Sequence, residues 1–285
     1  MVNIKYNKSI KELVQRRTSI RTYDDRAISE ETLNKLNEFI KELEGPFKPK
    51  VRFKIINVKE EINGGKLGTY GVIKGASTYI GAAVEVGPMN LEELGYEMER
   101  LILYATDLEL GTCWIAGTFK KSEFSKSMDL KENEVFAVIS PIGYKADRKS
   151  IIEKLIKFQG RSGGRKDWSE LFKLNNFTTP IPINEELGKI EEALENVRLA
   201  PSAVNKQPWR IIKDNNKFHF YKEEKYSNHS KETGVDNHRI DMGIAMCHFD
   251  LTCKEHGIKG KFIDNNPELS YAPTDFKYII TWIKE

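Results

Sequence analysis

The sequence predicts an α+β fold in which two diverged copies of one unit are fused as an intramolecular pseudo-dimer. Three observations carry this. A helix with apolar residues at helical spacing is followed by strands, a long helix and a closing strand, and the same order then restarts in the second half. The first helix runs to Gly45-Pro46 and its counterpart to Ala200-Pro201, 155 residues later between the prolines. The long helix of each half runs to a glycine, Gly111 and Gly257, 146 residues apart, a drift of the size that loop-length differences produce. A chain of 285 residues is long enough for two such units.

In chain order, Ser29 is suited to cap a helix with Glu30 and Glu31 in its first turn and Leu33, Leu36, Phe39, Ile40 and Leu43 on one face. Val51, Phe53 and Ile55 alternate with basic residues as in a half-buried strand, and Ser77 to Val86 is apolar enough for an interior one. Leu91, Leu94, Met98, Leu101, Ile102 and Ala105 mark the long helix, with Gly111 as a left-handed cap, and Phe136 to Ile142 is a strand stopped by Gly143. The glycine-rich, basic run Gly160 to Lys166, with Pro180 and Pro182 after it, places a linker at 159–183 between a first copy, 1–158, and a shorter second copy, 184–285. There, Leu187, Ile190, Leu194 and Val197 mark a helix, and a strand from Trp209 turns at Asp214-Asn215-Asn216 into Phe218 to Tyr221. A helix from Asp241 to about His256 and a strand from Tyr278 to Ile283 close the chain.

Composition removes several function classes. Hydrophobic residues make up 39% and charged residues 31% of the chain, and mean hydropathy is −0.52, which argues against an integral membrane protein. With no apolar N-terminal segment of signal-peptide type, a cytoplasmic location is expected. Forty-five basic against 42 acidic residues leave a net charge of +3, too balanced for a nucleic-acid surface. Cys113, Cys247 and Cys253 form no CxxC pair, and all five histidines follow residue 200. Asp236, His238, Asp241 and His248 are read as a polar helix start rather than a metal site.

Three segments carry candidate chemistry. Arg16-Arg17-Thr18-Ser19-Ile20-Arg21 groups guanidinium forks with hydroxyls, which suits a phosphate, although a solvated basic helix end would read the same. Ala200 to Trp209, APSAVNKQPW, is a stiff loop of prolines, small residues and amides that can meet a flat ligand or simply leave a helix. Gly111 to Gly117, GTCWIAG, lets backbone approach something planar, or caps a helix beside a core tryptophan.

Together these segments, with Gly143-Tyr144, resemble the FMN-dependent nitroreductase family over most of the chain. The resemblance implies a nitroreductase-like fold and a flavoprotein oxidoreductase that moves two electrons from NAD(P)H through FMN to a small aromatic or quinone-like acceptor. It places the FMN phosphate and ribityl chain on Arg17, Ser19 and Arg21 with Thr18 beside them. Pro201, Ser202, Ala203, Asn205 and Gln207 of the decapeptide then meet the flavin, and Trp114, Ile115, Ala116 and Gly117 lie along its ring. A later basic pair joins the phosphate, Arg165-Lys166 or alternatively Arg148-Lys149. No side chain is assigned as a catalytic acid, base or nucleophile, because the flavin carries the chemistry.

The order of motifs departs from the usual family pattern. The decapeptide occurs only in the second copy, its place in the first being taken by Gly45-Pro46-Phe47-Lys48-Pro49. The second copy in turn has Trp168-Ser169-Glu170-Leu171 where the Arg-x-Ser-x-Arg motif would stand. This resembles a fused branch of the family in which one chain, as a monomer, suffices for one FMN site. A flavin-binding protein without turnover, such as a sensor or storage module, is the alternative.

Overall fold

The computed structural model describes residues 6–58, 71–116, 119, 121–147, 164–225, 235–267, 269 and 273–285. The first half contains α1 (Ile10–Arg16), α2 (Glu30–Lys41), β1 (Val51–Asn57), β2 (Thr78–Glu85), α3 (Asn90–Asp107), β3 (Gly111–Thr112), α4 (Lys121–Met128) and β4 (Glu134–Gly143). The second contains α5 (Trp168–Leu171), β5 (Phe172–Leu174), α6 (Lys189–Leu199), a 3-10 turn Ala203–Asn205, β6 (Trp209–Asp214), β7 (Lys217–Glu223), α7 (Asn237–Glu255), β8 (Gly260–Ile263) and β9 (Phe276–Lys284).

The two sheets repeat one topology. The first has the order β1-β2-β4-β3, and the second has β6-β7-β9-β8 with β5 added at its edge. Every pairing is antiparallel except that of β5 with β6. The fold is α+β, with two diverged copies of one unit in one chain.

The central helices α3 and α7 join the copies, and their contact is reciprocal. A methyl group added at Gly95 would strike the Ile240 carbonyl, and one added at Gly243 would strike the Glu92 carbonyl. Glu92 to Ile240 and Gly95 to Gly243 are both steps of 148 residues, so each copy presents the same patch to the other, as across a two-fold axis. One hydrophobic cluster runs through both copies, from Ile10, Leu94 and Ile102 to Met246, Phe249 and Trp282. A second cluster, including Tyr79, Phe124, Met128 and Phe136, lies under α4 on the opposite face of the first sheet.

Local signals account for most element ends. The Ser29 hydroxyl accepts from Thr32 N, capping α2 as its sequence predicts. Residues Asn215 and Asn216 turn β6 into β7, with Asn215 at φ 50°. Gly111, expected as the left-handed cap of α3, instead opens β3. The helix ends at Asp107, so Glu109 takes the left-handed position (φ 61°), with Glu109 N on Thr106 O and Leu110 N on Ala105 O. Gly257 (φ 71°) ends α7 through the same pattern, on Lys254 O and Cys253 O. The true counterpart of Gly257 is therefore Glu109, again 148 residues away.

Two other expectations change. Helix α7 starts at Asn237 rather than Asp241, because the Asp236 carboxylate accepts from His238 N and caps it. Part of the expected linker, 159–183, is built into the second copy: β5 pairs with Ile211 to Lys213 of β6, and Leu171, Phe172 and Ile181 are buried in the shared core. No helix among the described residues is long and apolar enough to cross a membrane.

Candidate functional site

The chain leaves α1 at Arg17 and runs extended beside the first sheet. Ile20 N donates to Thr112 O at 2.8 Å, Tyr23 N donates to Lys74 O at 2.9 Å, and the Tyr23 hydroxyl donates to Ile20 O at 2.8 Å. Ile20 thereby enters the apolar cluster under α4, Ser19 is half-buried and Thr18 is exposed. Arg17 is only 9% exposed. Its Nε and Nη1, and the Nε of Arg21, are buried without a hydrogen-bond partner among the described residues. Buried guanidinium donors left unpaired cost several times what a satisfied hydrogen bond contributes, so this stretch is built to receive acceptor atoms.

In the second copy the decapeptide forms a tightly tied loop. The Ser202 hydroxyl accepts from Gln207 N at 2.9 Å, and Ala203 N donates to both Asp241 oxygens at 3.0 and 3.1 Å. His238 Nδ1 lies 2.8 Å from the same carboxylate, and burial raises the Asp241 pKa against the pull of His238. Val204, Asn205 and Gln207 all hold positive φ, and Val204, β-branched and 89% exposed, is strained there. Pro201 is half-buried directly after the cap of α6.

Arg165 and Lys166, expected to reach a phosphate, are tied to this loop by hydrogen bonds. The Arg165 guanidinium donates to Leu199 O, Ala200 O and Asn205 Oδ1 at 2.7, 2.6 and 3.3 Å, satisfying carbonyls left open at the end of α6. Lys166 N donates to Gln207 Oε1 at 2.8 Å, and its ammonium pairs with Glu170 at 2.8 Å and Glu223 at 3.4 Å. The alternative pair, Arg148-Lys149, lies outside the described residues, as does Gly117.

Trp114 follows β3, and its indole Nε1 donates to Glu99 Oε2 at 2.8 Å. Ile115 is buried and bridges to Ile139, and Ala116 is half-buried. Glu99, fully buried on α3, also places Oε1 at 2.9 Å from His248 Nε2 and 4.0 Å from Arg17 Nε. The Arg165 pKa is pushed down to about 10, first by burial and then by the Arg17 charge. The Arg17 charge of the first copy is therefore close enough to act on Arg165 in the second copy's loop, a repulsion that an anion near both would relieve.

A family model described as "Putative TM nitroreductase" matches residues 9–253. The chain belongs to that nitroreductase family. Its fold is similar to that of a "putative nitroreductase" from Thermotoga maritima at 20% identity, over 99% of this chain and 97% of the other, with a TM-score of 0.61. Half-length matches include a nitroreductase family protein from Clostridium difficile, at 21% identity over 53% of this chain and 92% of that one with a TM-score of 0.41. Another is a nitroreductase with bound FMN from Bacteroides fragilis, at 19% identity over 51% and 92% with a TM-score of 0.39. No curated protein matches.

In this nitroreductase-family chain, a cavity of about 280 Å³ opens beside the arginine motif, lined by Arg17, Thr18, Thr112 and Lys145 among others. Lys145 was not singled out from sequence, although it directly follows the Gly143-Tyr144 pair. Glu99, His248 and the Asp241–His238 support of the decapeptide were missed as well. The available signal was a run of carboxylates, Glu92, Glu93, Glu97 and Glu99, on a helix that also carries a core stripe; all four are buried. The four residues weighed as metal ligands have different contacts, with Asp236 capping α7, His238 holding Asp241 and His248 facing Glu99.

Proposed function

We propose that this nitroreductase-family chain binds one FMN between its two copies and passes two electrons from NAD(P)H through it to a small aromatic or quinone-like acceptor. The observation that carries this reading is the set of buried donors on Arg17 and Arg21 that have no hydrogen-bond partner among the described residues. A phosphate supplies the acceptors those guanidinium groups lack, so the residues present fit the phosphate end of FMN.

When bound, FMN supplies the two-electron redox chemistry. Arg17 and Arg21 would hold its phosphate and ribityl chain, with the hydroxyls of Thr18 and Ser19 adding donors. Pro201, Ser202, Ala203, Asn205 and Gln207 would present a rigid, partly polar edge to the ring. That edge is held by Asp241 on the backbone and by the Ser202–Gln207 bond. Trp114, Ile115, Ala116 and Gly117 would lie along the ring and exclude water from it. Because the loop's hydrogen bonds are already made inside the protein, little ordering entropy remains to be lost on binding.

Titration of flavin-free protein with FMN, followed by stopped-flow mixing with NADH and NADPH, tests the proposal. Saturation at one equivalent and rapid bleaching of the flavin are expected, and Asn205→Ala should weaken binding or alter reduction while leaving the circular dichroism spectrum unchanged. Failure to bind FMN would overturn the reading, and binding without reduction by either donor would leave a flavin-binding protein without turnover.

A further inference from the structure

A fully buried pair joins the copies beneath the site. Glu99 on α3 and His248 on α7 are both 0% exposed, with Oε1 and Nε2 2.9 Å apart. The other histidine nitrogen, Nδ1, lies 2.8 Å from Asn196 O on α6. A carbonyl can only accept, so Nδ1 carries a hydrogen. Contact between Nε2 and the carboxylate then needs one more proton, either on the ring with Glu99 ionised or on Glu99 with the ring neutral. In both forms the pair holds one shared proton and carries no net charge. Losing that proton leaves one negative charge on a fully buried pair.

That charge would sit beside the site's own residues. Glu99 Oε2 accepts the Trp114 indole at 2.8 Å, and Oε1 lies 4.0 Å from Arg17 Nε. Among the described residues, the other titratable groups near Glu99 are Tyr6 ahead of α1, Arg100 on α3 and Cys247 on α7, and Arg165 in turn feels the Arg17 charge. Burial pushes the Tyr6 and Cys247 values upward, which keeps both neutral. The Arg100 guanidinium is committed to Glu44 O at 2.7 Å. Arg17 is therefore the charge that responds to the proton held by the pair.

We propose that Glu99 and His248 form a one-proton positioning pair: Glu99 fixes the Trp114 indole, and the shared proton sets the charge felt by Arg17. The pair stands on its own contacts, whereas its effect on flavin rests on the FMN reading above. Glu99→Gln separates geometry from charge. The amide oxygen can accept from Trp114 and the amide NH2 can donate to a neutral Nε2, so every hydrogen bond survives while the dissociable proton is gone.

The test is a pH titration of the Trp114 indole N–H resonance in flavin-free, 15N-labelled protein, assigned by its loss in Trp114→Phe, together with FMN dissociation constants over the same range. In the wild type the indole resonance should move in one step, with the same midpoint as the His248 ring nitrogens, and FMN binding should weaken about fivefold or more across it. Glu99→Gln should hold the indole resonance fixed and lack that step in affinity. A wild-type resonance that does not move, or one that moves equally in Glu99→Gln, overturns the proposal. If Glu99→Gln does not fold, the wild-type comparison alone decides, because unequal Trp114 and His248 midpoints also overturn it. A shared midpoint in wild-type protein that binds no FMN would support the pair and reject the FMN reading alone.

Discussion

Glu93 and Asp241 hold equivalent places in the two copies, 148 residues apart, and each is a buried carboxylate that accepts from the backbone of a loop. Glu93 Oε2 accepts from Phe47 N at 2.8 Å, and Asp241 Oδ1 accepts from Ala203 N at 3.0 Å. The decapeptide and the Gly45 to Pro49 segment are thus one structural position with two fates. In the second copy it forms the loop from Pro201 to Gln207, tied down by the Ser202–Gln207 bond and by Asp241. In the first, Phe47 packs on Phe262 of β8 with ring centroids 5.6 Å apart, over Glu93 and Glu97.

A single FMN per chain is expected on this basis, because the second, symmetry-related position is filled by an aromatic pair, and the second copy has Trp168-Ser169-Glu170-Leu171 where the arginine motif would stand. Flavin absorbance per mole of protein after saturation and desalting measures it. Two equivalents of similar affinity would contradict the expectation.

Stability should fall as pH rises. Burial raises both Glu93 and Glu97, and their mutual repulsion adds to the shift of Glu93. The folded chain therefore holds protons that the unfolded chain releases near the ordinary glutamate value of 4.5. The stabilisation is complete below that value and is lost as pH climbs through the raised ones. Denaturant unfolding at pH 5, 7 and 9 should show the decline, and Glu93→Gln should flatten it.

Gly243→Ala should destabilise the protein by about 1–3 kcal/mol, the usual range for overpacking. An exposed helical glycine would gain about 1 kcal/mol from the same change, so the sign alone decides. A stabilised variant in urea unfolding would mean that the α3–α7 crossing is looser than the reciprocal glycine contact indicates.

Arg17→Ala should weaken FMN binding by roughly ten- to hundredfold, the equivalent of about 1.5–3 kcal/mol for a charge-assisted bond. Arg16→Ala should have little effect, since Arg16 is exposed and paired with Glu12 and Glu109. Fluorescence titration of flavin distinguishes the two, and equal losses would remove the special role of Arg17.

By itself the sequence determined the features that neighbouring residues decide. The Ser29 cap, the Asn215-Asn216 hairpin, the α2 stripe and the repeat of element order follow from side chains acting within a few residues of themselves. The arginine motif and the decapeptide were legible for the same reason, as short runs of unusual chemistry. Only the tertiary structure decided that Glu99 meets His248 across 149 residues and that Arg165 caps α6. It also decided that Glu109 rather than Gly111 ends α3, and that β5 joins the second sheet. Those outcomes depend on which groups are left needing a partner once two long helices are buried on nearly every face. A buried carboxylate or an open carbonyl takes whatever donor the packing brings to it, and spacing along the chain does not record that choice.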